Sequence, residues 1–395
     1  MKVVLFANTE WYLYNFKLSL AHELRDRGCD VVLLSPPGEY AARLEQAGFV
    51  WREVPMHRRS INPFRELRVI MQLSKLLAAE KPDVVHNFTI KCAVYGSIAS
   101  KLVGTRGIVN SIAGLGFVFT SRKLLARLLQ PVVKGLFRVS LGGVRSTVIV
   151  QNPDDLAFFN SADWLKAREV CLIKGSGVSL TRFRDRDRQS VLDRSKPLRL
   201  VLAARLLWDK GVREFIDAAK YLKAESPNCR FILAGTPDGG NPNSVSDEQI
   251  QKWQSEGIVE WLGHVSDMPK LFDEVDVIVL PSYREGLPKS LIEAAACGLA
   301  IVTTDAPGCK EVVNDDGKNG LLVPVRDALA LARAIQRLEE DRTLCMSLGE
   351  AARERVLLEF DERIVIDKTI AVYEQLTNVT FQRVAPEVQQ AGIPS

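Results

Sequence analysis

Along the chain, short runs of β-branched and other apolar residues alternate with longer segments whose apolar residues recur at helical spacing. In the first half the runs are Val3–Ala7, Val31–Ser35, Val84–His86, Ile108–Ile112, Thr147–Val150 and Val170–Ile173. Helical patterns between them include Phe16–Arg27, Pro63–Glu80 and Leu124–Val139. Apolar strands separated by crossover helices predict a parallel sheet covered on both faces. A charged stretch, Arg182–Lys196, interrupts the series. It then restarts with Leu198–Ala203, Phe231–Ala234, Val259–Leu262, Val277–Leu280, Ile301–Thr303 and Leu321–Val323. The expected fold is α/β, with two doubly wound Rossmann-like domains facing across a cleft and ligands at the carboxyl ends of the strands. The pattern sets a first domain at 1–180, a linker at 181–197 and a second domain at 198–360. A helix at 361–378 returns to brace the first domain, and 379–395 is a loose tail.

A length of 395 residues suits two such domains, and 47% hydrophobic with 25% charged residues is the composition of a globular protein. No apolar stretch approaches the roughly 18 to 20 residues of a membrane span, and the start, MKVVLFANTE, reads as a strand and not as a signal peptide. Seven scattered cysteines without a CxxC pair imply reduced thiols in a cytoplasmic protein. The net charge of +4 conceals an asymmetry: residues 1–185 hold 26 Lys/Arg against 15 Asp/Glu (+11), and the remainder 26 against 33 (−7). The first half therefore meets something anionic, and nucleic acid, a membrane surface and phosphorylated ligands all qualify on charge alone.

The chemistry concentrates after two strands of the second half. In PSYREGLPKSLIEAAACG, residues 281–298, a buried strand runs into a loop and then a helix opening near Pro288. Such a helix N-terminus offers free N–H groups and positive dipole to an anion. Glu285 in the loop and Glu293 in the helix, seven residues between, suit the two ends of a nucleotide-linked sugar. The same spacing also suits an ordinary connection carrying two solvated carboxylates. In VLAARLLWDKGVREFIDAA, residues 201–219, Arg205 and Lys210 follow a strand and precede a helix. That placement suits a diphosphate, although two surface cations would read alike.

These segments resemble the retaining glycosyltransferases of family 4, which have the GT-B fold. The resemblance rests on the E-x7-E spacing of Glu285 and Glu293, the EGLP opening (Gly286, Leu287, Pro288), and Arg205 with Lys210-Gly211. It implies that Glu285 lies against the donor sugar, Glu293 holds the ribose hydroxyls, and Arg205 and Lys210 neutralise the donor diphosphate as it leaves. It further implies that Gly235 and Glu311, the latter in APGCKEVV, reach the donor, and that His86 and Lys91 reach the ligand from the first domain. One departure stands out: the first loop, ANTEWYLYNF, lacks the family's usual glycine pair, so Asn8 to Asn15 must shape the acceptor side differently.

Within the family, YNFKLSLAHELRDRG, INPFREL, SIAGLGFVF and GCKEVV resemble bacterial enzymes that extend sugars on undecaprenyl diphosphate, including N-acetylgalactosaminyltransferases. This implies a UDP-sugar donor and a lipid-linked saccharide acceptor, with Gly114 and Gly116 flanking the acceptor and no nucleic acid partner. In SRKLLARLLQPVVKGLFRVS, residues 121–140, two apolar i,i+4 rows are backed by Arg122, Lys123, Arg127, Lys134 and Arg138. That pattern describes either an interfacial helix on an anionic membrane or a crossover helix with a solvated basic face. The expectation is a cytoplasmic enzyme on the inner face of the plasma membrane. The resemblance implies transfer without a metal or other cofactor, and the DxD-like triplet Asp185–Asp187, which could suggest a metal-dependent transferase of the other fold, falls in the expected linker. A nucleotide-sugar 2-epimerase and a non-catalytic sugar-nucleotide binding protein are the rival readings.

Overall fold

In the computed structural model, the described residues are 1–57, 60, 62–114, 124–165, 167–185, 188–225, 228–313 and 317–382, with the backbone alone for 124–129. The chain divides into two compact units. The first holds Met1–Ile149, Ala157–Cys171 and the residues from Ile366 on; the second holds Val150–Leu156 and Leu172–Val365.

The first unit is built on β1 (Lys2–Phe6), β2 (Asp30–Ser35), β3 (Val50–Glu53), β4 (Val84–Phe88), β5 (Gly107–Ile112), β6 (Gly143–Val150) and β7 (Ala167–Leu172). They order as β3-β2-β1-β4-β5-β6-β7. Between them run α1 (Glu10–Phe16), α2 (Leu18–Asp26), α3 (Ala41–Gln46), α4 (Pro63–Glu80), α5 (Ile90–Val103), α6 (Leu124–Leu141) and α7 (Pro153–Asn160), the last with its Pro153–Leu156 turn in the second unit. Strands β4 and β5 are buried at every residue, as a sheet covered on both faces requires. The edge strand β3 shows no buried residue, and its Trp-Arg-Glu sequence gives the apolar pattern nothing to register. Helix α4 begins as its sequence dictates. Pro63 sits in its first turn, where a missing N–H costs nothing, and Asn62 accepts from the Phe64 and Arg65 N–H groups. Its Val69, Leu73 and Leu77 enter the core beside Val4, Phe6 and Val85.

The second unit is a parallel sheet ordered β10-β9-β8-β11-β12-β13. Its strands are β8 (Leu198–Ala203), β9 (Cys229–Ala234), β10 (Glu260–Trp261), β11 (Val277–Leu280), β12 (Ala300–Thr304) and β13 (Leu321–Val323). Its helices are α8 (Val212–Glu225), α9 (Asp247–Ser255), α10 (Met268–Asp273), α11 (Lys289–Ala296), α12 (Ala328–Glu340) and α13 (Arg342–Glu359). The last helix, α14 (Glu362–Thr377), starts in this unit, and from Ile366 its residues pack in the first. There Tyr373 is fully buried and Leu376 lies against Gly107.

The unit boundary differs from the one read off the charge run. Residues expected as a linker are anchored in the second unit: Phe183 and Val191 enter its cores. Arg188 donates to the carbonyls of Cys297, Phe272 and Val275. A guanidinium with several carbonyl acceptors is as well satisfied as one in water, so a charged run need not be a free one.

Candidate functional site

Strands β9, β8, β11 and β12 are neighbours, so the loops leaving their carboxyl ends converge. After β8 a short turn, Trp208–Lys210, ends at Gly211, and α8 follows. Gly211 has φ +75°, and a Cβ there would strike the Pro281 carbonyl, so only glycine lets the Lys210 loop lie on the β11 loop. After β11, Thr304 Oγ1 donates to the Ser282 carbonyl and Thr303 Oγ1 to the Leu280 carbonyl. Two buried hydroxyls of β12 thus hold the start of that loop.

The outcome is a tight group around Glu285. Lys210 Nζ donates to both carboxylate oxygens, at 2.5 and 2.7 Å, and Ser282 Oγ donates to Oε1 at 2.6 Å. The Glu285 N–H donates to the Pro307 carbonyl at 2.9 Å. Gly308, at φ +84°, lets the β12 loop approach so closely that a Cβ would come 2.5 Å from the Glu285 carbonyl. The Glu285 side chain is only 12% exposed, so its charge depends on Lys210. Asn152 Nδ2 donates to the Gly286 carbonyl at 2.9 Å, and Arg284 pairs with buried Asp155 at 2.5 Å. Desolvation nevertheless pushes the Asp155 carboxyl above its ordinary range.

Tyr283 ties the two loops together. Its N–H donates to the Asp209 carbonyl at 2.9 Å, and its hydroxyl donates to Glu214 at the start of α8 at 2.8 Å. Arg326 stacks 4.6 Å over its ring. Burial first, and the Glu214 carboxylate second, push the Tyr283 hydroxyl up to about 12.

Of the other expected donor residues, Arg205 projects from the β8 loop to Asp238 at 2.7 Å, and Gly235 closes β9 with its N–H on the Gly263 carbonyl. Pro288 is the N-cap of α11, so the helix opens beside it as expected. Leu287 packs beside Gly175. Glu293 faces Lys289 one turn away at 3.7 Å. Burial raises the Glu293 carboxyl and lowers the Lys289 ammonium, with each charge partly offsetting the other's loss. Glu311 is half-buried and likewise raised by desolvation, with Lys174 and Lys310 acting against it.

The first-unit residues are placed differently. His86 is buried, with Nδ1 2.5 Å from the Tyr373 hydroxyl and Nε2 2.7 Å from Ser111 Oγ, so both ring nitrogens are engaged inside the unit. Lys91 donates to the carbonyls of His57 at 2.7 Å and Ser60 at 2.9 Å and pairs with Glu66 at 3.1 Å. It clasps the loop before α4. In both cases the side chain has partners inside the unit that the motif does not reveal. Asn8 lies after β1, where Thr9 caps α1 by accepting from the Tyr12 N–H. Gly114 follows β5 with φ +82°. Gly116, Arg122, Lys123, the Arg127 side chain and Asp187 lie outside the described residues. Asp185 pairs with Arg353 at 3.2 Å.

Burial holds the His86 ring well below its ordinary value of 6.5, with the nearby Lys17 charge adding to this. The unfolded chain takes up the proton that the buried ring refuses. The stability is therefore full above about pH 6.5 and falls by up to about 1.4 kcal/mol per pH unit below it. Denaturant unfolding at pH 7 and pH 5 should show a larger acid loss for the wild type than for His86→Gln. An equal loss in both would remove His86 from the explanation.

Two family models match the chain: "Glycosyl transferase 4-like" over residues 2–152 and "Glycosyl transferases group 1" over residues 183–355. The N,N'-diacetylbacillosaminyl-diphospho-undecaprenol α-1,3-N-acetylgalactosaminyltransferase of Campylobacter jejuni is 30% identical over 373 residues, 92% of this chain and 96% of that protein. The chain belongs to this glycosyltransferase family. An Escherichia coli UDP-Gal:α-D-GlcNAc-diphosphoundecaprenol α-1,3-galactosyltransferase is 26% identical over 81% of the chain and 82% of its own length. Among solved structures, Anabaena Alr3699/HepE in complex with UDP and glucose matches with a TM-score of 0.75 at 21% identity, covering 96% of this chain and all of that one. The glycosyltransferase is therefore a GT-B protein of two Rossmann-like units. No helix among its described residues is long and apolar enough to cross a membrane.

Proposed function

We propose that this glycosyltransferase moves N-acetylgalactosamine from UDP-N-acetylgalactosamine, with retention, onto a saccharide carried by a polyprenyl diphosphate in bacterial surface-glycan or glycoprotein assembly. The observation that carries the reading is the Lys210–Glu285 pair, set between the β8 and β11 loops where helices α8 and α11 begin. A cation and helix N-termini suit the diphosphate, and a held carboxylate suits the sugar. Arg205, now on Asp238, is the second cation for the diphosphate, and Glu293 is the acceptor for the ribose hydroxyls. Gly235, Gly286, Leu287, Pro288 and Glu311 complete the donor side.

In the proposed step, the anomeric carbon–phosphate oxygen bond breaks and a glycosidic bond forms on the same face. The acceptor hydroxyl's proton passes to the leaving diphosphate oxygen, and no metal or other cofactor is used. The choice of N-acetylgalactosamine rests on likeness to the Campylobacter protein. The galactose named for the Escherichia coli relative is the second reading. Incubation with UDP-GalNAc, UDP-GlcNAc, UDP-Gal, UDP-Glc and GDP-mannose plus a short-chain polyprenyl-diphosphate saccharide should give UDP release and an α-linked product. A β-linked product would overturn retention, and UDP release independent of acceptor would overturn transfer.

The same reading puts the enzyme on the anionic cytoplasmic face of the membrane, with α6 as a contact. Phe137 and Leu141 of α6 are buried, whereas Val132, Leu136 and Val139 are exposed beside exposed Arg138. Glu substitutions at Arg122, Lys123 and Arg127 should release the protein from anionic vesicles, because cations near such a surface contribute about 1 kcal/mol each. Equal sedimentation of wild type and variant would end that assignment.

A further inference from the structure

Helix α4 carries three large apolar side chains that remain exposed among the described residues. Phe64 is 84% exposed, Leu67 55% and Met71 51%. Their spacing, i, i+3 and i+7, stacks them into one ridge on the side away from Val69, Leu73 and Leu77. The charges around the ridge have one sign. Arg65, Arg68 and Lys75 are exposed. The two acids of the helix are occupied: Glu66 on Lys91 at 3.1 Å, Glu80 on Lys2 at 3.0 Å and Arg52 at 3.5 Å. An apolar ridge flanked by cations of its own helix, whose acids are paired, suits an anionic lipid surface, which accepts both.

The topology sets this ridge beside the one on α6. The chain steps β3 to β4, β4 to β5 and β5 to β6 in one direction across the sheet. Right-handed crossovers therefore put α4, α5 and α6 on a single face. Helix α5 packs against both of the others and is buried along most of its length, so it forms the middle of that layer. With helices about 10 Å apart, two apolar ridges run on either side of it, about 20 Å from each other.

We propose that the α4 ridge, Phe64, Leu67 and Met71 with Arg65, Arg68 and Lys75, is a second membrane footing, so that the α4–α5–α6 layer lies flat on an anionic bilayer. The inference rests on the membrane contact proposed for α6 and adds a surface to it. Two footings fix the roll of the unit about α6, which a single helix leaves open.

The test uses the full chain and vesicles of phosphatidylglycerol with phosphatidylcholine, with pure phosphatidylcholine for comparison. Phe64→Ser/Leu67→Ser/Met71→Ser should lower the partition onto anionic vesicles at least about tenfold. It should keep the wild-type melting temperature and the wild-type rate on a short-chain, water-soluble acceptor. Val132→Ser/Leu136→Ser is the separate α6 arm. Loss of binding in that arm alone would overturn the α4 footing while leaving the α6 contact standing. A wild type that dimerises by light scattering and becomes monomeric with the α4 substitutions would also overturn it, because a second copy would then be the occupant. Absence of transfer to the soluble acceptor would count against the transferase reading and leave the vesicle result to stand by itself.

Discussion

Replacing Lys210 with alanine is expected to lower turnover by roughly 10² to 10³, the loss typical of one preorganised contact to charge that grows in the transition state. The structure adds a second effect. Lys210 contacts both oxygens of a carboxylate that is 12% exposed, and among the described residues only Ser282 also donates to it. Removing the cation leaves a nearly buried charge without its partner, which costs about 3 kcal/mol. Lys210→Ala should therefore be slower and also less stable. Lys210→Ala/Glu285→Gln should recover most of the lost stability and none of the rate. Rate and melting temperature measured on the two variants separate the effects. Wild-type turnover in Lys210→Ala would end its assignment to the leaving group.

The two glutamates of the motif should fail in different ways. Glu285→Ala is expected to reduce kcat by about a hundredfold with a small change in donor KM, because Glu285 is held by Lys210, Ser282 and the Pro307 carbonyl and is the carboxylate proposed to lie against the donor sugar. Glu293→Ala should raise donor KM about tenfold, the worth of a hydrogen bond from a charged acceptor, and change kcat less. The acid side of the KM profile gives an independent check. Burial raises the Glu293 carboxyl. Its ionised form, the one proposed to accept from both ribose hydroxyls, is therefore lost at a higher pH than for an ordinary glutamate. Donor KM should climb from that pH downward in the wild type and stay flat in Glu293→Gln. A raised KM with unchanged kcat in Glu285→Ala would reverse the two assignments.

The strands were legible because parallel sheets covered on both faces demand nearly unbroken apolar runs, and β8, β11 and β13 fall where those runs do. Strand β3 was not, since an edge strand whose four residues all retain exposure has no such demand. The charged run 182–196 read as a linker because sequence shows charge and not its acceptors; Arg188 has three backbone carbonyls waiting for it. At the site, Glu285, Glu293, Arg205 and Lys210 could be found by spacing and resemblance, but their pairings could not. Asp238 takes Arg205 from 33 residues away. Asn152 reaches Gly286 from 134 away, with no local signal at all. Lys289 was findable, because i,i+4 from Glu293 on one helix face is a neighbour by geometry alone. For His86 and Lys91 too, the partners Tyr373 and the His57 and Ser60 carbonyls are invisible from the motif.

The order in which the ribosome delivers this chain has its own bearing on how it matures. The second unit is one nearly continuous stretch, Leu172–Val365, supplemented by seven residues just upstream, and is complete as soon as that stretch emerges. The first unit begins at Met1 yet needs residues from Ile366 on, including Tyr373, the largest fully buried side chain, which meets His86 from 287 residues away. The unit that starts first therefore finishes last. Until α14 has emerged, its sheet waits with the Tyr373 position open, so a nascent chain halted near residue 365 exposes a finished second unit and an unfinished first one to chaperones and proteases.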